Sequence, residues 1–132
     1  MKYLLDTNII SNIVKFPKGP AALRLREVSA EDVATSVIVC AELRFGCRKI
    51  DAKRLERDYE VFLDSIQIED WCAPLDSLYA DVRKAAELSG TSVGAMDLLI
   101  ASQALALDAI LVTGNEREFS HVPGLKVENW LK

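Results

Sequence analysis

One histidine, His121, and three cysteines, Cys40, Cys47 and Cys72, are all that this 132-residue chain has of the two residue types that build structural zinc sites. A structural zinc site needs four such ligands at particular spacings, and these match none of the usual patterns. An odd number of cysteines, with no secretory leader ahead of them, argues against a disulfide framework and for a reducing compartment. Cys40 and Cys47 lie seven residues apart, one face of a helix, and read as small core residues. There is no P-loop and no glycine-rich dinucleotide fingerprint. Long apolar runs are missing too: the richest, Leu98 to Val112, is broken by Ser102, Gln103 and Asp108, short of the ~18 residues a membrane span needs. The opening Met1-Lys2-Tyr3-Leu4-Leu5 meets Asp6 too early for a signal peptide. A soluble, cytoplasmic protein with no membrane partner is expected. Nor is there a surplus of positive charge. Twenty acidic residues against 16 basic ones leave a net charge of −4, so a strong non-specific hold on nucleic acid is not implied.

What is present is ordinary for a globular protein: 50% hydrophobic residues and 27% charged. The length fits one domain, 1–132, with a core that needs no staples. Tyr3-Leu4-Leu5 reads as a buried strand ending at the polar tip Asp6-Thr7-Asn8. Further strands are expected at Asp32–Thr35, Ile66–Ile68, Ala109–Thr113 and Leu125–Glu128. Helices are expected over Ile9–Val14, over Pro20–Val28 with proline in its first turn, and from Val37 to about Cys47 behind Ser36 as N-cap. Others follow at Asp51–Ser65, at Leu75–Leu88 closed by Ser89-Gly90, and from Ala95 to Leu107. Strands alternating with helices imply an α/β sandwich, a parallel sheet covered on both faces.

Most of the acids sit among lysines and arginines on solvated helix faces. Three do not. Asp6 ends the first strand, where a parallel sheet exposes its carboxyl ends to ligands. Glu42 has Ile38, Val39, Phe45 and Gly46 as its neighbours at three and four positions, which places it on an apolar face. Asp97 has Val93, Ile100, Ala101 and Ala104 around it by the same count. A carboxylate buried alone costs several kcal/mol or is neutralised through a raised pKa. Two on core-facing stripes and a third at a strand tip suggest convergence around a hard divalent cation with oxygen ligands, Mg2+ or Mn2+. The alternative is pairing with a buried arginine, Arg44, Arg83 or Arg117. A cation held by carboxylates and waters activates water and stabilises charge on phosphate oxygens, so phosphodiester hydrolysis leads the candidate reactions.

Leu4-Leu5-Asp6-Thr7-Asn8-Ile9-Ile10-Ser11 resembles the opening of PIN-domain ribonucleases, the VapC toxins in particular. Three more segments match in order. They are Ser36 to Gly46 around Ala41-Glu42-Leu43, Gly94 to Ala101 around Met96-Asp97-Leu98, and Leu111-Val112-Thr113-Gly114-Asn115 with Arg117-Glu118-Phe119. The ending Val122 to Trp130 is also similar to that group. The resemblance implies a PIN-like three-layer α/β/α sandwich with a five-stranded parallel sheet, and a magnesium- or manganese-dependent endoribonuclease. It further implies a toxin that cleaves RNA, often transfer RNA, and a VapB-like antitoxin that blocks the site. A homodimer, and a higher assembly with the antitoxin, come with it. By position, Asp6, Glu42 and Asp97 become the metal-holding acids, Thr113 the hydroxyl that orients Asp6, and Asn8 a support of the first turn.

This chain departs from the family at the fourth acid. Many members carry aspartate where Asn115 stands, and asparagine or arginine where Gly114 stands. Asn115 can hold a water or a phosphate but cannot act as a base; Glu118 or Glu116 is left to supply the charge. Arg44, Arg48, Lys49, Lys53, Arg54 and Arg57 form a candidate RNA-binding surface. Two other enzyme and signalling readings fit less well. A haloacid-dehalogenase-type phosphatase needs an aspartate where Asn8 stands, and a receiver domain leaves Glu42 unexplained. A PIN scaffold that binds RNA or protein with weak or no catalysis is the remaining alternative.

Overall fold

The computed structural model describes residues 2–132. Five short strands, β1 (Tyr3–Leu5), β2 (Val33–Ser36), β3 (Gln67–Glu69), β4 (Ile110–Val112) and β5 (Lys126–Glu128), form one parallel sheet. Their order across the sheet is β3-β2-β1-β4-β5. Central β1 pairs Leu4 with Ala34 on one side and with Leu111 on the other. Leu4, Leu5, Leu111 and Val112 are wholly buried, as strands covered on both faces require.

Between the strands run helices α1 (Thr7–Lys15), α2 (Pro20–Glu27), α3 (Val37–Lys49), α4 (Lys53–Leu63), α5 (Leu75–Leu88), α6 (Ala95–Ala106) and α7 (Glu116–Phe119). From β1 through β3 the chain steps across the sheet in one direction; it then returns past β1 to lay down β4 and β5 on the other side. Right-handed crossovers place α1 to α4 on one face and α5 and α6 on the opposite one. In keeping with this, α1, α3 and α4 pack on one another while α5 packs on α6. The strand order therefore reverses between β1 and β4, and the crevice at their carboxyl ends is where such sheets take ligands.

Local chemistry explains most boundaries. Ser36 ends β2 and caps α3, its hydroxyl accepting the Ile38 N–H at 3.0 Å. Gly90, with φ of 74°, ends α5 as expected. Other bounds differ from expectation. α3 runs on to Lys49, two residues past Cys47, and Asp51 then takes a left-handed turn at φ 54°. That turn confines α4 to Lys53–Leu63 instead of Asp51–Ser65. A 3-10 turn at Ala30–Asp32 and α7 itself carry no periodicity in sequence, being too short to show one. Cys40 and Cys47 are both buried, as their type suggests. Among the described residues no helix is long and apolar enough to cross a membrane.

Candidate active site

Asp6 follows β1 directly and opens α1 as its N-cap. Its backbone N–H is held by the Val112 carbonyl of β4 at 2.9 Å, which fixes the residue over the reversal of strand order. The carboxylate is 3% exposed. Oδ1 accepts the Thr7 N–H at 2.8 Å and Oδ2 accepts the Thr113 hydroxyl at 2.7 Å. Burial pushes the Asp6 pKa up; these two hydrogen bonds oppose the shift, and the nearby Glu118 charge adds to it.

Thr7 links Asp6 to the next acid. Its hydroxyl donates to Glu42 Oε1 at 2.9 Å, so adjacent residues of one N-terminus hold two carboxylates through backbone and side chain. Burial raises the Glu42 pKa, the Thr7 hydrogen bond lowers it, and Asp6 raises it again. Glu42 is not inside the core, however. It is half-buried, and Phe45, its neighbour at three positions, is 67% exposed. The apolar face read from spacing is split, buried along Val39, Cys40, Leu43 and Cys47, and Glu42 stands at its margin.

Asp97 lies in the first turn of α6. There the helix dipole favours a negative charge by ~0.3–1 kcal/mol. Burial outweighs this, followed by the charges of Asp6, Glu118 and Glu42, and the Asp97 pKa is pushed up from 3.8 to about 6. Glu118 approaches Asp97 closely enough for its charge to add to the rise in the Asp97 pKa. α7 carries it there, pinned by the fully buried Phe119. Glu116 turns away to Lys132 and Asn129, whose contacts lower its pKa. Asn115 is exposed and engages the site by its backbone, donating its N–H to Thr113 Oγ1 at 3.0 Å. Of the two glutamates left to complete the cluster, geometry brings in Glu118.

Four acids thus gather without a cation. The ion pairs among the described residues involve none of them. The arginine alternative fails: Arg44 forks onto Glu60 at 2.7 and 3.0 Å, Arg83 bonds Glu87 and Tyr79, and Arg117 pairs with no acid. Nor do three of these acids, or any other group of histidine, cysteine, aspartate and glutamate among the described residues, close tightly enough to hold an ion unaided. Hard oxygen donors, mutual repulsion and a loose spacing suit a divalent cation that keeps part of its water shell.

Asn8 does more than support its own turn. Its Oδ1 accepts the Gly114 N–H at 3.1 Å and so ties α1 to the loop after β4. A Cβ on Gly114 would lie 2.6 Å from Leu131 Cδ1 and 3.3 Å from Asn8 Nδ2, so a side chain here would have to push the tip of Leu131 aside. Thr7 and Leu131 were not evident as site residues in the sequence; a hydroxyl directly after a strand-end aspartate was the available signal for the first.

Residues 3–125 match the family profile described as PIN domain. The chain is 39% identical to Ribonuclease VapC2 of Rickettsia felis, over the full length of both. It is 32% identical to the tRNA(fMet)-specific endonuclease VapC of Shigella flexneri, over 98% of each chain. Its fold superimposes on the crystal structure of Rickettsia felis VapBC2 bound to a promoter DNA fragment with a TM-score of 0.90 and 35% identity, covering 98% of this chain and 99% of that one.

Proposed function

This chain belongs to the PIN-domain family, on its VapC branch, and we propose that it is a metal-dependent endoribonuclease serving as the toxin of a type II toxin–antitoxin pair. The observation that carries this reading is the gathering of Asp6, Glu42, Asp97 and Glu118 at the carboxyl ends of β1 and β4, none of them in an ion pair among the described residues. Asp6 and Asp97 are the residues to hold a Mg2+ or Mn2+ ion, with Glu42 and Glu118 beside them. When bound, the ion supplies activation of water and neutralisation of charge on the phosphate.

The chain's own residues supply the rest. Thr113 and the Thr7 N–H fix both oxygens of Asp6, so its carboxylate needs no reorientation as charge develops. Thr7 holds Glu42 in the same frame through its hydroxyl. Asp97, its pKa pushed up to about 6, suits a group that passes a proton near neutrality, and burial raises the Glu42 pKa as well. Asn115 offers a hydrogen bond to water or phosphate without taking a proton.

We take residues 1–132 as one PIN domain in the prokaryotic cytoplasm, its substrate as transfer RNA, the substrate class that the Shigella flexneri relative's name carries. A VapB-like antitoxin would cover the acids and the toxin would form a homodimer within a larger assembly; that the Rickettsia felis neighbour is a VapBC2 complex supports an antitoxin partner. On α3 and α4, Arg44 and Arg48 are held by Glu60 and Glu56. Lys49, Lys53, Arg54 and Arg57 are exposed outside any ion pair among the described residues and supply a general attraction for RNA.

The test is incubation of total transfer RNA with purified protein in magnesium, in EDTA, and with Asp6→Ala or Asp97→Asn. Discrete fragments that require both the metal and the acids are expected. RNA bound but left whole by folded, antitoxin-free protein would replace the nuclease with a binding module.

A further inference from the structure

A cleft borders the acid cluster, with walls from two separate elements. Arg117, Glu118 and His121 of α7 and its following turn form one wall, and the loop Ser89–Val93 between α5 and α6 forms the other. The loop wall is pinned, since the Ser89 and Thr91 hydroxyls sit together on the Ala86 carbonyl, one donating to it and the other free to donate to the carbonyl or to its neighbouring hydroxyl. Ser92 is left with an exposed hydroxyl that no group among the described residues engages. Glu118 belongs both to this cleft and to the acid cluster, so whatever occupies the cleft lies directly beside the acids.

Arg117 stands between two acids in sequence and pairs with neither. Glu116 is drawn to Lys132 and Glu118 to Asp97. Its side chain is exposed and lines the cleft together with Glu118, without an ion pair among the described residues. A polyanion brought to such a cluster is repelled unless a cation beside the site offsets the repulsion. A guanidinium fork is suited to bind a phosphate through two hydrogen bonds.

We propose that this cleft is an RNA subsite in which Arg117, with His121 beside it and the Ser92 hydroxyl opposite, holds a backbone phosphate next to the bond presented to the acids. The assignment rests on the nuclease reading for its substrate. It places the contact that registers the strand in α7, apart from the broader basic surface of α3 and α4.

The experiment measures binding of a fluorescent single-stranded oligoribonucleotide of about 12 nucleotides across a salt series, in the Asp97→Asn background that leaves the probe uncut. Adding Arg117→Gln is expected to weaken binding about fivefold near 0.1 M salt and to make the salt slope shallower by about 0.7, the loss of one single-strand phosphate contact. Arg117→Lys should keep the slope and recover part of the affinity. Lys84→Gln, an exposed α5 lysine outside the cleft, should leave both largely in place. In cleavage of the same probe by the otherwise unaltered chain, Arg117→Gln should raise KM about fivefold with kcat within about twofold. Unchanged affinity and slope would overturn the subsite, as would a fall in kcat at constant KM, which would make Arg117 only a support for Glu118. An unaltered chain that binds the probe yet leaves total transfer RNA whole would refute the nuclease reading, and the salt slopes would still decide the cleft.

Discussion

Thr113 donates its hydroxyl to Asp6 Oδ2 across the junction of β4 and β1, at 2.7 Å and 107 residues apart in sequence. Both residues are buried, and the Thr113 oxygen also accepts the Asn115 N–H. The bond offsets part of what burial does to Asp6. Thr113→Val keeps the shape and removes the donor. It should cost ~1–3 kcal/mol in thermal or denaturant unfolding and reduce metal affinity or cleavage about 10- to 100-fold. Thr113→Ser should restore most of both; a valine variant with full metal affinity would show that Asp6 orients itself.

Asp97 sets the pH dependence. Its pKa is raised to about 6, above its ordinary 3.8, so the folded, metal-free chain binds this proton more tightly than the unfolded chain does. The stabilising contribution of the proton is therefore full below pH ~4 and is lost as pH rises through about 6. Metal-free protein should accordingly melt at lower temperature at pH 7.5 than at pH 5. Magnesium binding follows the opposite trend, because it needs the charged form. Apparent affinity should rise up to about tenfold per pH unit below about 6 and flatten above. Isothermal titration at three pH values checks both signs.

Removing that charge should separate stability from activity. Asp97→Asn relieves repulsion from Asp6, Glu118 and Glu42. In EDTA at neutral pH the variant should melt about 2–5 °C above the unaltered chain, on the order of 1 kcal/mol for a domain of this size. RNA cleavage should fall to background. A lower melting temperature would mean that the carboxylate makes structural contacts that outweigh the repulsion.

The departure at Asn115 is testable by reversal. Its side chain is exposed beside Thr113, which places an added charge at the rim of the cluster. Calorimetry should count one magnesium per unaltered chain. Asn115→Asp should bind a second ion, or the first one several-fold more tightly, since another charged oxygen ligand strengthens a hard-cation site. Two ions on the unaltered chain would show that Glu118 already completes a second position.

Gly114→Ala should destabilise by ~1–2 kcal/mol, because the new methyl group meets Leu131 and presses on Asn8. Leu131→Ala in the same chain should recover most of that loss. The coupling of the pair in a double-mutant cycle is the measurement; simple additivity would mean that the loop after β4 yields on its own.

The α/β class and every strand could be read from sequence because hydrophobic runs bounded by polar tips mark buried parallel strands. Leu75–Leu88 could be read to the residue, since Pro74 and Ser89-Gly90 delimit it chemically. The 3-10 turn and α7 could not, because α7 is held by tertiary burial of Phe119 and not by local propensity. Glu42 shows a limit of periodicity: spacing places a residue on a face but not at its buried centre or its margin. Choosing Glu118 over Glu116 required three dimensions as well, since Lys132, distant in sequence, turns Glu116 away.

The acids are dispersed along the chain, and this governs when the molecule can first act. Thr113, which orients Asp6, and Glu118, which joins it, follow it by more than a hundred residues. No early fragment contains a working arrangement. A chain whose working parts are this far apart acquires its site only when β4 and α7 have packed against β1, so the site is a product of the whole fold and of no single segment.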